Sequence, residues 1–372
     1  MAGGRVGLRL FPGLLEELSR DRSLVCVSGT NGKTTTTALI ARGWGVPVVT
    51  NETGANMPAG HAAALAGSSA GFGVLEVDEA WLPEVMARLS PRVIVLLNLS
   101  RDQLDRASEV RTLAGKWRAA LARSGASVVA NANDPLVVYA AETAETVLWC
   151  DVPTPWLEDA RSCPHCTRPL THEGVGFSCV CGFSRPARIS ARLDGESAVI
   201  GATSVPVSLG LSGEFNRANA TMALCALDTL GVDVSEAAAR MSSLSSVAGR
   251  FDVRRYHGRS VRMLLAKNPA GFSALLSMVP SAPGEVWIAI NARVADGRDP
   301  SWLYDVPFEL LRGHRVVCFG DRRLDLATRL DYAGVEWRLA QDSATPEPSE
   351  DVVHLLANYT AFADWLKETE AC

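Results

Sequence analysis

The stretch Leu24-Val25-Cys26-Val27-Ser28-Gly29-Thr30-Asn31-Gly32-Lys33-Thr34-Thr35-Thr36-Thr37 decides how the chain is read. An apolar run of strand-forming residues, Leu24 to Val27, enters a glycine-containing turn. A helix-compatible segment leaves it from Lys33 to about Arg42. Such a corner brings backbone N–H groups and a helix N-terminus around one anion, and Lys33 adds a positive charge. Thr34 follows the lysine, where a hydroxyl can ligate a Mg2+ that bridges phosphates. The spacing departs from the common G-x-x-x-x-G-K-S/T loop, because Val27 stands at the first glycine position. A bare G-K-T also occurs at ordinary strand-turn-helix corners. The whole string favours a nucleoside triphosphate site made by Gly29, Thr30, Asn31, Gly32, Lys33, Thr34 and Thr35.

Outward from this corner the pattern repeats. Val46 to Thr50 reads as a second strand, and the loop Asn51-Glu52-Thr53-Gly54-Ala55-Asn56-Met57 lies where α/β sheets place ligands, beyond a strand's carboxyl end. Val74 to Glu79 is a strand ending in three carboxylates, Glu76, Asp78 and Glu79, oxygen ligands of the kind Mg2+ takes. A helix from about Ala80 to Leu89 precedes Arg92 to Leu97, a nearly continuous apolar run that suits a parallel strand buried on both faces. Its end carries Asn98-Leu99-Ser100-Arg101-Asp102-Gln103-Leu104-Asp105-Arg106. A helix containing Trp117 follows, then the strand Ala126 to Ala130 and a turn at 131–135. The alternation from Leu24 to Ala141 predicts a doubly wound parallel sheet with right-handed crossovers, in which strand-end residues converge on one edge.

Composition limits the alternatives. A chain of 372 residues holds two or three domains, and a formal charge of −5 gives no electrostatic reason to expect nucleic-acid binding. Arg312, Arg315, Arg322 and Arg323 read as solvated faces. No apolar run reaches the ~18 residues of a membrane span. Met1 to Leu18 lacks the apolar core and small-residue cleavage site of a secretory leader, so a cytoplasmic location is expected. Of nine cysteines, four crowd into Cys163 to Cys181, and Cys26, Cys150, Cys225, Cys318 and Cys372 are scattered. Clustering inside an intracellular enzyme favours a metal over disulfides. Cys163 and Cys166, then Cys179 and Cys181, form two knuckle-like pairs fit for tetrahedral zinc in a structural role. The second pair, C-x-C, is tighter than usual, which leaves strain or recruitment of His165 or Cys150 as alternatives.

Further on, Ala187 to Gly210 alternates apolar and polar residues around Asp194-Gly195, as antiparallel strands do. Gly213-Glu214-Phe215-Asn216-Arg217-Ala218-Asn219-Ala220 opens an alanine-rich helix to Leu230, in which Asn216 can serve simply as an N-cap. The helix Ser235 to Ser243 leads to Ala248-Gly249-Arg250-Phe251. From Asp252 a second α/β domain is expected, with strands near 261–265, 285–291, 314–319, 336 and 352–355.

GTNGKTT resembles the ATP loop of the Mur ligase superfamily, which forms amide bonds through acyl phosphates. The segments at 51–57, 98–105, 213–220 and 248–251 resemble further motifs of the same superfamily. Several runs are similar to its MurT branch: Gln103 where most Mur ligases have histidine, the four-cysteine insert with its tail Gly182 to Pro186, Lys267-Asn268-Pro269-Ala270-Gly271-Phe272, the run Asp296 to Asp305, and Gly320 to Gly334. The resemblance implies a Mur ligase-type α/β ATP-binding domain with a doubly wound, mainly parallel sheet over 1–248. It also implies a zinc-ribbon insertion at 150–187 and a second, C-terminal α/β domain at 249–372.

The same resemblance implies roles. Glu76 aligns with the metal-binding glutamate, so Thr34 and Glu76 would share Mg2+. Asn216 and Asn219 would place adenine, Lys267 and Asn268 would join the nucleotide site, and Arg250 would reach the γ-phosphate across a domain cleft. Lys116 would stand near the carbamylated lysine of other members. The implied cofactors are ATP, Mg2+ and Zn2+. The implied partner is a GatD-type glutamine amidotransferase, whose Cys/His pair would be supported by Asp299, or else Asp296 or Asp305. The implied substrate is membrane-anchored lipid II, whose D-glutamate α-carboxylate is amidated at the inner face of the membrane. The usual UDP-binding domain is expected to be missing, and no cysteine lies in a nucleophile elbow that would make a glutaminase. An amino-acid-adding Mur ligase or a folylpolyglutamate-synthase-like enzyme is the alternative.

Overall fold

The structure, a computed structural model, describes residues 2–51, 55–101, 107–154, 156–248, 250–280, 282–340 and 352–371. Glu52, Thr53, Gly54, the run Asp102 to Arg106 with Gln103, and Gly249 lie outside the described residues. The chain divides into two compact units. One comprises residues 1–100, 108–210 and 214–244, and the other 101–107, 211–213 and 245–372. The change of unit along the chain thus falls a few residues before the expected 248/249 junction.

The first unit runs α1 (Ala2–Leu10), α2 (Leu14–Ser19), β1 (Ser23–Ser28), α3 (Lys33–Trp44), β2 (Val49–Thr50), α4 (Pro58–Ala66), β3 (Phe72–Glu76), α5 (Leu82–Leu89) and β4 (Val93–Leu96). It continues through α6 (Ala107–Leu121), β5 (Ser127–Asn131), α7 (Pro135–Ala141), β6 (Thr146–Asp151), the hairpin β7 (Thr171–Glu173) and β8 (Gly176–Ser178), β9 (Ala191–Asp194), β10 (Ser197–Ile200), β11 (Thr203–Pro206), α8 (Glu214–Thr229) and α9 (Val234–Met241). Nine strands form one sheet in the order β11-β10-β9-β6-β5-β4-β1-β3-β2. The run from β2 to β9 is parallel, and β9, β10 and β11 turn antiparallel at the far edge.

Period-two alternation explains why helices cover both faces. On β1, Val25 and Val27 face α3, α8 and α9, while Leu24 and Cys26 face α4, α5, α6 and α7. All four are at most 1% exposed, as expected of a parallel strand sandwiched between helical layers. Burial pushes the Cys26 thiol up to about 12, so this scattered cysteine is a core filler. Glu76 ends β3, and the strand stops short of Asp78 and Glu79. Several elements were hidden from the sequence reading. The helices α1 and α2 lie in a glycine-containing segment, and β6 runs directly into the cysteine insert.

The second unit runs β12 (Val253–Tyr256), β13 (Arg259–Leu265), α10 (Pro269–Leu276), β14 (Glu285–Ala289), β15 (Arg315–Phe319), α11 (Arg323–Ala333), β16 (Glu336–Leu339), β17 (Val352–Ala357), α12 (Tyr359–Glu368) and β18 (Glu370–Ala371). Its seven-stranded sheet has the order β16-β15-β14-β17-β13-β12-β18, parallel from β16 to β13. Trp287, Leu355 and Trp365 are the heart of one core layer.

Candidate active site

The turn after β1 needs two glycines for steric reasons. Gly29 has φ 145° and Gly32 has φ 89°, both in the region that side chains avoid. A Cβ on Gly32 would also stand 2.7 Å from Asn219 Oδ1, so the loop closes directly onto α8. Gly32 is the residue preceding α3 and brings no side-chain cap. The helix therefore presents its N-terminal end to the loop without a resident anion-like group.

The loop is pinned to the end of β4. The Asn31 backbone N–H donates to Asn98 Oδ1 (2.9 Å), and Asn98 Nδ2 donates to Asn31 O (3.0 Å). Thr30 N donates to Asn98 O (3.0 Å), while Thr30 Oγ1 donates to Ser100 O (3.0 Å) and accepts from Ser100 N (2.9 Å). These bonds join residues about seventy positions apart in the chain and hold the turn in a fixed shape.

Lys33 is 6% exposed. Its ammonium donates to Gly29 O (2.5 Å) and Thr30 O (3.2 Å) and pairs with Glu79 Oε2 at 3.0 Å. Thr34 Oγ1 donates to Glu76 Oε2 (2.7 Å), and Asn56 Nδ2 donates to Glu76 Oε1 (3.2 Å). One corner thus collects a cation, a hydroxyl, two carboxylates and an open helix end. The donor set of Thr34 and Glu76, two adjacent hard oxygens, fits Mg2+. Glu79 and Asp78, the other acids of the strand end, are engaged elsewhere: Glu79 with Lys33, and Asp78 with the Ala80 backbone N–H at 3.0 Å.

Behind Glu76 stands a layer that motif reading missed. Asn51 brackets the Glu76 backbone, and the buried His61 ring lies with Nε2 2.8 Å from Glu76 O. Burial pushes the His61 imidazolium below its ordinary range, so the ring is neutral and Nε2 carries its proton. The only signal in the sequence was position: Asn51 opens the loop at 51–57, and His61 follows it by four residues.

Asn216 and Asn219 lie within the opening turns of α8, not at its cap, and are 0% and 9% exposed. Thr35 is buried in the first turn of α3, and Lys116 is an exposed residue of α6.

In the insert, the four sulfurs of Cys163, Cys166, Cys179 and Cys181 all lie within 4.8 Å of one another. Cys163 Sγ to Cys181 Sγ is 3.6 Å and Cys166 Sγ to Cys179 Sγ is 3.5 Å. Tetrahedral zinc with Zn–S near 2.3 Å separates its sulfurs by about 3.8 Å, so the set is compatible with such a site. Neither alternative ligand joins them. His165 Nε2 is 2.7 Å from Glu142 Oε1, and Cys150 lies in the sheet core. Leu170, Phe177 and Phe183 pack the insert onto Val138 of α7.

The remaining expected site residues belong to the second unit. Arg250 forms an isolated bridge with Val247. Asn268 is fully buried and caps α10 by accepting from Gly271 N (2.8 Å), and Lys267 precedes it. Asp296 is buried and accepts from Thr360 N (2.8 Å), Thr360 Oγ1 and Arg293 N (3.2 Å). Asp299 is exposed and accepts from Ser301 N (2.9 Å), and the Ser301 backbone N–H and hydroxyl hold its carboxyl below the usual range. Asp305 is exposed beside Arg101, 3.6 Å away.

Comparison with known proteins fits this geometry. The Mur ligase middle domain family matches residues 27–149, and the MurT ligase C-terminal family matches residues 265–362. The chain is 28% identical to the lipid II isoglutaminyl synthase (glutamine-hydrolyzing) subunit MurT of Staphylococcus aureus strain COL, over 98% of this chain and 91% of that one. The subunit of the same name in Streptococcus pneumoniae is 27% identical, over 97% and 90%. Among solved structures, a pseudomurein peptide ligase type C from Methanothermus fervidus superposes with a TM-score of 0.71 at 18% identity, covering 93% of this chain and 78% of that one. MurF from Acinetobacter baumannii superposes with a TM-score of 0.65 at 16% identity, covering 98% and 80%.

Proposed function

This chain belongs to the Mur ligase superfamily, and from that premise we propose that it is the ATP-consuming subunit of a lipid II isoglutaminyl synthase. It is an ATP-dependent ligase. The finer reading is amidation of the D-glutamate α-carboxylate of the lipid II stem peptide, with ammonia delivered by a separate GatD-type glutaminase. The observation that carries it is the corner of Lys33, Thr34 and Glu76 in a chain similar to MurT subunits along nearly its whole length.

A carboxylate is a poor acyl donor until it carries a phosphate. In the proposed first half-reaction a carboxylate oxygen of D-glutamate attacks the γ-phosphorus, the bond to the β-phosphate oxygen breaks, and ADP leaves. In the second, the ammonia lone pair attacks the acyl carbon, phosphate departs with the C–O bond pair, and the surplus proton passes to solvent. Water must be kept from the mixed anhydride until ammonia arrives. Lys33 would turn from Glu79 toward the β- and γ-phosphates and stabilise the charge that builds there, while the α3 N-terminus and the Gly29 to Gly32 backbone cradle the anion. Thr34 and Glu76 would hold Mg2+, which when bound neutralises charge on the phosphates. Asn216 and Asn219 would flank adenine, and Arg250, Lys267 and Asn268 would serve nucleotide binding, as the resemblance to other Mur ligases implies. The four cysteines would hold a structural zinc. Among the described residues no helix is long and apolar enough to cross a membrane, which suits an enzyme meeting lipid II from the cytoplasmic side.

Purified protein given lipid II, ATP, Mg2+ and ammonium should add one amide to the stem peptide, seen as a loss of about one mass unit with ADP release. ADP formed only when an amino acid is supplied, with ammonium ignored, would overturn the amidation reading in favour of an amino-acid-adding ligase.

A further inference from the structure

β2 is only two residues long, and its ladder with β3 covers Val49 with Gly73 and Thr50 with Val74. Past Thr50 the backbone leaves the sheet, and the Asn51 side chain takes over the ladder. Its Oδ1 accepts from Glu76 N (2.8 Å), and its Nδ2 donates to Glu76 O (2.8 Å) and to Ala55 O (3.1 Å). From α4, His61 Nε2 donates to the same Glu76 carbonyl at 2.8 Å. Asn51 is 6% exposed, His61 0% and Glu76 5%. His61 Nδ1 has no hydrogen-bond partner among the described residues.

An orphaned buried ring nitrogen costs stability, and an aliphatic side chain would fill this place more cheaply. Departures of this kind from local stability rules concentrate at functional sites. We propose that His61 and Asn51 are positioning residues for a divalent cation bound with a nucleoside triphosphate. They lock both backbone polar groups of Glu76, so that its carboxylate is held against Thr34 Oγ1 and can turn neither into the sheet nor out to solvent. The inference rests on the nucleotide reading of the corner and assigns roles behind it that the motifs do not.

The test is Mn2+ binding, followed by electron paramagnetic resonance with a non-hydrolysable ATP analogue present, together with thermal unfolding. His61→Leu should weaken Mn2+ binding about tenfold, the ordinary size of an effect transmitted through a ligand's supporting bonds. His61→Gln, whose amide nitrogen can occupy the Nε2 place, should restore most of it. The unfolding midpoint of His61→Leu should be no lower than that of His61→Gln, because the orphan nitrogen is gone in both. Should His61→Leu misfold, Asn51→Ser carries the same comparison. Equal Mn2+ binding by wild type and His61→Leu, or a His61→Gln protein as weak as His61→Leu, overturns the positioning role alone. A wild type that takes up no Mn2+ with the analogue overturns the nucleotide site and this role with it.

Discussion

Glu76 and Asp299 are both acids at the edge of a parallel sheet's loop layer, yet the chain treats them differently. Glu76 is buried, is bonded at its backbone N–H, its carbonyl and both carboxylate oxygens, and meets partners from α3, α4 and the loop between β2 and α4. Asp299 is exposed, and among the described residues its hydrogen-bond partner is its near neighbour Ser301. The first has the fixed geometry that its proposed role as a Mg2+ ligand demands. The second is exposed, as its proposed partner-facing role requires. Asp296 stands between the two types: it lies in the same loop as Asp299 but is buried and tied to α12.

The contrast breaks most directly at the lysine. Lys33→Ala should lower ATP-dependent ligation by at least about 10²- to 10³-fold, with association with a glutaminase subunit unchanged. Near-normal amidation by this variant would remove the phosphate-loop assignment. The cysteine insert gives a second case of pre-fixed ligands. Elemental analysis should find one zinc per chain, and Cys166→Ser should raise hydrogen exchange across the hairpin of β7 and β8 by about tenfold or more while leaving nucleotide binding intact. Zinc-free fresh protein would remove the ribbon.

Asp134 sharpens the comparison through pH. It is buried and accepts from the backbone N–H groups of Leu99, Leu136 and Val137, and burial pushes its carboxyl up to about 6. A raised carboxyl binds its proton more tightly in the folded state. Its contribution is therefore greatest below about pH 4 and declines by up to about 3 kcal/mol as pH rises to 6. Denaturant titrations of wild type against Asp134→Asn should show that slope in the first and its absence in the second. Smallest is the pair in the second unit. Asp296→Asn should cost about 2 kcal/mol of stability. Asp299→Asn should stay within about 0.5 kcal/mol of wild type, as surface changes do. Asp299→Asn should slow amidation fed by glutamine and spare amidation fed by ammonium. Equal loss with both nitrogen sources would break the partner-facing reading.

Legibility in the sequence followed the range of the interaction. The β1 corner, the acid-tipped β3 and the buried β4 were visible because each is a local pattern of apolar period and turn chemistry. The sheet order then follows from the handedness of crossovers. The cysteine set was visible by spacing, though whether C-x-C could close a tetrahedron was a question only sulfur positions answer. Asn51, His61 and Asn98 were not legible as supports, because each acts on a residue far away in the chain through one side-chain bond. Glu79 was legible as an acid but not as the lysine's counter-ion. β12 was missed because Arg254 and Arg255 interrupt its apolar alternation.

The ion pair between Lys33 and Glu79 has one more consequence. A lysine stranded without a counter-charge would cling to whatever anion reached it, spent product included. With the Glu79 carboxylate 3.0 Å away, the ammonium would trade one partner for another in the proposed cycle each time the loop filled or emptied. Departure of ADP would then expose no naked buried charge, and the loop would return to its starting state.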